Sequence, residues 1–308
     1  MKRFSLFLFA LALVVPAFAA PRRTARPAKT RPAVRAVGDT GLYGHLMLQS
    51  RNANSAVHAN AIGDNRSARL VVIPAAGNVQ GANGTFFRSD VTLVNYDTAP
   101  QDVVAFWIPQ GSADNSNPDG VQLTLEAGEF VTFGDFVGTV LNKQGLGSIV
   151  IIPVAQNDID FDGAIDGFSR IWTPQPSSTG TVSQPFPGVD PDSFYYHDVA
   201  AAIGLRQDSG FRTNYGIVNL DDVPHTFTVQ VVGEHAQQQI SVTVPGPGMT
   251  QTSIPAGDYG TLAVVFTVDD IQASWTAYAS STDNITGDGW VSIAAAAFTP
   301  TDLTDIGQ

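Results

Sequence analysis

The sequence predicts an all-β protein: two tandem antiparallel β-sandwich domains behind a signal peptide and a flexible basic linker. Three observations carry that expectation. One stretch of chain is used twice. Apolar and polar residues alternate along short runs, the period of a half-buried strand. Turn-forming residues separate those runs, helped by 29 Gly and 19 Pro among 308 residues.

The repeat is plainest when residues 86–100, FFRSDVTLVNYDTAP, are laid over 210–224, GFRTNYGIVNLDDVP. Phe87-Arg88-Ser89-Asp90 falls on Phe211-Arg212-Thr213-Asn214. Leu93-Val94-Asn95 falls on Ile217-Val218-Asn219. Asp97 meets Asp221 and Pro100 meets Pro224, all at an offset of 124. Later runs follow with shrinking offsets. Gln122 to Leu125 matches Ser241 to Val244 at 119, and Gly147 to Val150 matches Gly260 to Ala263 at 113. Phe168 to Thr173 matches Ala273 to Tyr278 at about 105. One domain type is therefore used twice. The first copy carries extra residues at 109–120, 134–145 and 157–166.

Taken in order, the chain opens on a basic start, Met1-Lys2-Arg3. An apolar run from Phe4 to Val15 and an Ala17-Phe18-Ala19 cleavage site follow, so residues 1–19 read as a secretory signal. The run is too short to span a bilayer, and no later stretch is long enough, so no transmembrane anchor is expected. Residues 20–39 form a basic, Pro-rich linker. Residues 40–67 hold a strand-like run, Leu42 to Leu48, and a polar loop that could extend the first domain at its edge. The sandwich copies are placed at 68–188 and 189–298, and a polar tail at 299–308. Within them, Val121, Leu123 and Leu125 alternate with polar neighbours, as do Ile240, Val242 and Val244. Turn signals fall at 95–97, 126–128, 245–248 and 287–289. A single short helix is expected from Asp135 to Leu141, with Asp135 as its N-cap.

Charge is uneven. Eight of the 16 Lys and Arg precede residue 37, and from there on 28 acidic residues face 8 basic ones. Such a body is a poor nucleic-acid partner. With no cysteine, thiol nucleophiles and Cys-built metal sites are excluded.

The repeated motifs resemble those of a broad family of exported bacterial proteins with tandem immunoglobulin-like or fibronectin-like sandwiches. The motifs are Gly84 to Asp90, Leu93 to Asn95, and Ser169-Arg170-Ile171-Trp172. The second copy keeps the first two as Phe211 to Asn214 and Ile217 to Asn219. It departs at the third, Ser274-Trp275-Thr276, which has no Arg. The resemblance spans roughly residues 70–298. It implies an Ig-like fold and no particular reaction.

The sharpest local signal is the loop Asn157 to Asp166. Asp158, Asp160 and Asp162 stand at positions 1, 3 and 5 of a D-x-D-x-D-G pattern. The carbonyl of Ala164 stands at position 7 and Asp166 at position 9. That spacing of hard oxygens suits Ca2+, although position 12 is Ser169 and not the usual Glu. A solvated acidic hairpin is the other reading. The repeated Arg88/Asp90 and Arg212/Asn214 pairs read as a structural ion pair or hydrogen bond present in both copies, with a ligand contact as the alternative. Trp107, Trp172, Trp275, Trp290 and the run 194–197 are candidates for a glycan-stacking platform, with core packing the preferred reading for Trp107, Trp172 and Trp275. Phe194-Tyr195-Tyr196-His197 reads as interface packing or as an exposed patch. The five histidines (His45, His58, His197, His225, His235) have no metal spacing, and no nucleophile elbow or P-loop occurs.

The expectation is an exported, monomeric, non-catalytic protein. It would be periplasmic, cell-surface or extracellular, with a binding or structural role at the cell envelope or beyond. Its partner would be a protein or a glycan. Two alternatives stay open: a calcium-assisted carbohydrate-binding module, and an enzyme with an interdomain site.

Overall fold

The computed structural model describes residues 32–38, 41–59, 70–81, 84–111, 117–175, 179–191, 199–270 and 272–296. The signal segment, most of the linker, the aromatic run 194–197 and the C-terminal tail lie outside the described residues.

Among the described residues the sheets are antiparallel and strands dominate, with one long helix. The first half runs β1 (Val34–Val37), α1 (Leu42–Ala59), β2 (Val71–Gln80), β3 (Phe86–Asn95), β4 (Gln101–Pro109), β5 (Gly120–Leu125), β6 (Phe130–Phe133), β7 (Gly145–Ala155), β8 (Asp158–Ile159), β9 (Ile165–Pro174) and β10 (Thr181–Pro187). The second half runs β11 (Val199–Gln207), β12 (Phe211–Asn219), β13 (His225–Gly233), β14 (Gln237–Val244), β15 (Gly248–Ser253), β16 (Gly260–Val268), β17 (Trp275–Asp283), β18 (Gly289–Ile293) and β19 (Ala295–Ala296).

Both halves share one strand order. The second half has runs β14-β13-β16-β11 and β15-β12-β17-β18, with β19 added outside β11. The first half has β5-β4-β7-β2 and β6-β3-β9-β10 in the corresponding order, with β1 added outside β5. In the first half the two runs join through β2, which pairs with β7 up to Asn78 and with β3 from there on. The same bulge interrupts the first strand of each copy. Register slips between Ile73 and Ala76 in β2, and between Ala202 and Leu205 in β11.

The ladders correct two of the expected offsets. Strands β7 and β16 correspond at 115 rather than 113, because Val103 faces Pro153 while its counterpart Phe227 faces Val268. That register aligns Gly145 with Gly260, both at positive φ. Strands β9 and β17 correspond at 110 rather than about 105, because Asn95 faces Ile165 and Asn219 faces Trp275. Trp172 is therefore the counterpart of Thr282, not of Trp275.

Two N-terminal expectations are also corrected. Residues 34–37, assigned to the flexible linker, form an edge strand on β5. The run Leu42 to Leu48, read as a strand, is helical. The buried residues of this helix include Tyr43, Leu46, Met47 and Ser50, a helical spacing rather than a period of two. The short helix expected from Asp135 is present as one π-helical turn, Phe136–Val140. The Asp135 carboxylate caps it by accepting the Gly138 N–H at 3.2 Å.

The second half is sandwich-like, with its core between its two sheets. Tyr215 on β12 meets Phe266 on β16 at 6.2 Å, and Phe227 on β13 meets Trp275 on β17 edge-to-face at 5.3 Å. The first core is larger. It takes in Tyr43, Leu46 and Met47 of α1, and also Val218, Leu220, Met249 and Tyr278 from the second half. Tyr278 lies across Gly216, where a Cβ would come within 2.3 Å of the ring. Glycine there lets the ring reach Phe186 of β10 at 5.1 Å and donate its hydroxyl to Gln251. Strands β12, β15 and β17 thus pack their outer face on β2, β4 and β7.

Candidate binding surface and its polar clusters

The repeated Asn is a turn staple. Asn95 Nδ2 donates to the carbonyls of Ala99, Leu125 and Glu126, and its Oδ1 accepts the Asp97 N–H. Asn219 repeats all four bonds, with Val223, Val244, Pro245 and the Asp221 N–H. Only an amide combines two donors and an acceptor at this site, which explains the residue type in both motifs.

The repeated Arg does not have a repeated partner. Arg88 approaches Asp135 at 3.9 Å and lies over the Phe86 ring, while Arg212 donates to Asn284. Asp90 accepts the Asp135 N–H, whereas Asn214 accepts from the Ser253 hydroxyl. The expectation of one interaction kept in both copies is therefore corrected. The pair sits near the turns that differ most between the copies, so each Arg finds a local acceptor.

The acidic loop is spread over separate tasks. Asp158 lies on β8 opposite Ala155, and its Oδ1 is met by His45 Nε2 at 2.9 Å and Gln49 Nε2 at 2.8 Å from α1. Those bonds, His45 first, hold its carboxyl below the usual range. Asp160 Oδ1 accepts the Asp162 N–H within the turn. The Ala164 carbonyl accepts the Tyr96 N–H at 2.7 Å, and Asp166 accepts the Gly167 N–H. Among the described residues no group of three or more His, Asp, Glu or Cys side chains is arranged to hold a metal ion.

A cluster that the sequence did not single out joins α1 to the second half. Asp221 is buried, and its Oδ1 takes Arg51 Nη2 at 2.5 Å. Its Oδ2 takes His225 Nε2 at 2.8 Å and the Ser274 N–H at 3.1 Å. The other His225 nitrogen faces Asp269 at 3.2 Å, and Tyr43 donates to the Leu220 carbonyl. Burial pushes the Tyr43 hydroxyl pKa far up, so it stays a neutral donor. Only the Asp97/Asp221 match hinted at this position. Its Arg51 partner comes from α1, 170 residues away, which no local pattern reveals.

Trp107 and Trp275 are buried, and Trp172 is half-buried under Arg170. Trp290 is exposed, but it meets Phe211 edge-to-face at 66° and spends its indole N–H on the Gly204 carbonyl. That is not the coplanar pair on which a sugar would stack.

Sheet edges remain. The edge of β15 is engaged by the first half, where the Gly111 N–H bonds the Met249 carbonyl and Gln110 Nε2 bonds the Gln251 carbonyl. Strand β10 abuts β18, and its Gln184 Nε2 donates to the Thr282 hydroxyl of β17. Strand β14 ends its sheet, and a shallow groove lined by Gln230, Val232 and Gln237 to Gln239 runs along its hairpin. No family model matches the chain, and a search of curated proteins finds no match.

Proposed function

We propose that this is an exported, non-catalytic protein of two immunoglobulin-like sandwich modules, acting as a rigid binding or structural body at the cell envelope or outside the cell. The observation that carries this reading is the shared core. Val218, Leu220, Met249 and Tyr278 are built into the first half, so the face where an interdomain site would open is filled with side chains. The polar clusters support the same reading. His225 is buried with both ring nitrogens committed to carboxylates, and the Asn staples serve the turns. Strand edges and loops are then the natural contact surfaces.

The test is fractionation of cells expressing the tagged chain, with mass spectrometry of its N-terminus. An exported chain beginning at Ala20 is the expected result. An uncleaved chain that stays in the cytosol would overturn the export reading.

A further inference from the structure

Among the described residues, β14 is the longest strand that ends a sheet, at eight residues. Its sequence, QQQISVTV, has no charge and no proline, and its ladder with β13 has no bulge. Charge, proline and bulges are the features that usually protect an edge from pairing, and β14 has none of them. Its counterpart in the first half is covered. Strand β1 lies along β5, with Arg35 opposite Gln122 and Val37 opposite Gly120. At the offset of 119, Gln122 and Gly120 correspond to Ser241 and Gln239. The same edge of the same module therefore holds an added strand in one copy and, among the described residues, stands open in the other.

The phase of the open edge follows from its hairpin. The bond from the Gly233 N–H to the Ala236 carbonyl, 2.9 Å, closes the turn and makes 233/236 a bonded pair. Alternation then turns the even-numbered residues of β14 toward β13. Gln237, Gln239, Ser241 and Thr243 point their N–H and C=O groups outward. Charge selects the partner. From Thr213 to Gln308 the chain has ten acidic residues and no Lys or Arg. Glu234 and Asp258 stand beside the hairpin turn, near His235. A second copy would bring the same acidic surface to this edge, whereas the strand that covers β5 comes from the basic arm.

We infer that the β14 edge is a strand-addition site for an extended polypeptide segment in which small apolar residues alternate with basic ones. This rests on the binding reading above and names its partner chemistry. Main-chain hydrogen bonds to Gln239, Ser241 and Thr243 supply the pairing, and the acidic surroundings select the basic side chains.

The probe is a synthetic peptide copying Arg31 to Gly38, titrated onto the full chain with hydrogen exchange as readout. The peptide is expected to slow exchange of the Gln239, Ser241 and Thr243 amides. An Arg35→Glu peptide should bind about tenfold more weakly. Ser241→Pro removes one outward donor without touching the β13 ladder, and it should lose the binding while keeping the melting temperature. Should that variant misfold, the exchange pattern of the unmodified chain decides alone. Unchanged exchange in β14 at about 1 mM peptide overturns the proposal. So does a sedimenting dimer that Ser241→Pro abolishes, which would make a second copy the occupant. The titration is blind to export, so its failure and the failure of the export reading are separate results.

Discussion

The two halves use one strand order but bury their central strands differently. Strands β4 and β7 are buried on both faces through most of their length, whereas β13 and β16 alternate buried with more exposed residues. The difference is written in their residues. Val103 to Ile108 and Ile149 to Ile152 are unbroken apolar runs, while β13 reads HTFTVQVVG. Continuous apolar strands need cover on two sides, and here α1 and the sheet β15-β12-β17-β18 provide the second layer. A repeated module thus becomes a central layer when its outer face loses polar residues, and an outer layer when it keeps them.

The strongest way to break this comparison is Tyr278→Ala. The side chain belongs to the second half but fills the first core, so its loss should cost roughly 3–5 kcal/mol. It should also lower a single unfolding transition in urea. Two resolved transitions, with only one shifted, would mean that the halves stand independently.

Equivalent positions sharpen the contrast. Asp221→Ala strands the Arg51 guanidinium and His225. Because Arg51 is partly exposed, the expected cost is about 2–3 kcal/mol rather than that of a fully buried pair. Asp97→Ala, at the matching turn, removes only bonds to Thr98 and should cost about 0.5 kcal/mol or less. Equal costs, measured by denaturant titration of both variants, would show that the Asp221 cluster contributes nothing to the docking of α1.

The Asn staples should behave alike. Asn95→Ala and Asn219→Ala each leave three carbonyls without their donor, and each should cost about 1–2 kcal/mol. A difference larger than either value would mean that the two turns are not equivalent.

The smallest effect concerns Asp158, which the second half lacks. Its carboxyl titrates below its unfolded value, so the stability it contributes is present above the ordinary carboxylate range. That stability is lost as pH falls through the lowered folded value. Amides in α1 should exchange faster in strong acid for the native chain than for an Asp158→Asn variant normalised to its own neutral-pH rate. Calcium at millimolar levels should leave the melting temperature where EDTA leaves it, because Asp158 already accepts from α1, Asp160 from the turn and the Ala164 carbonyl from Tyr96.

Much of the architecture was legible locally. The repeat, the strand alternation and the cap at Asp135 all depend on neighbours within a few residues. The offsets for β7 and β9 were misjudged because small and aromatic residues tolerate a shifted match. Only the ladder settles which Gly or Trp corresponds to which. The helix α1 was misread because Leu42 to Leu48 is too short a run to separate a period of two from one of 3.6.

By itself the sequence determined that strands would form, where they turn, and that a set of motifs recurs, because these follow from side-chain period and turn chemistry. The tertiary structure alone decided that the halves share one core, that Asp221 joins α1 to the second half, and that β5 is covered while β14, among the described residues, stays open. Those outcomes depend on which faces meet across more than a hundred residues of chain, and no local pattern encodes that.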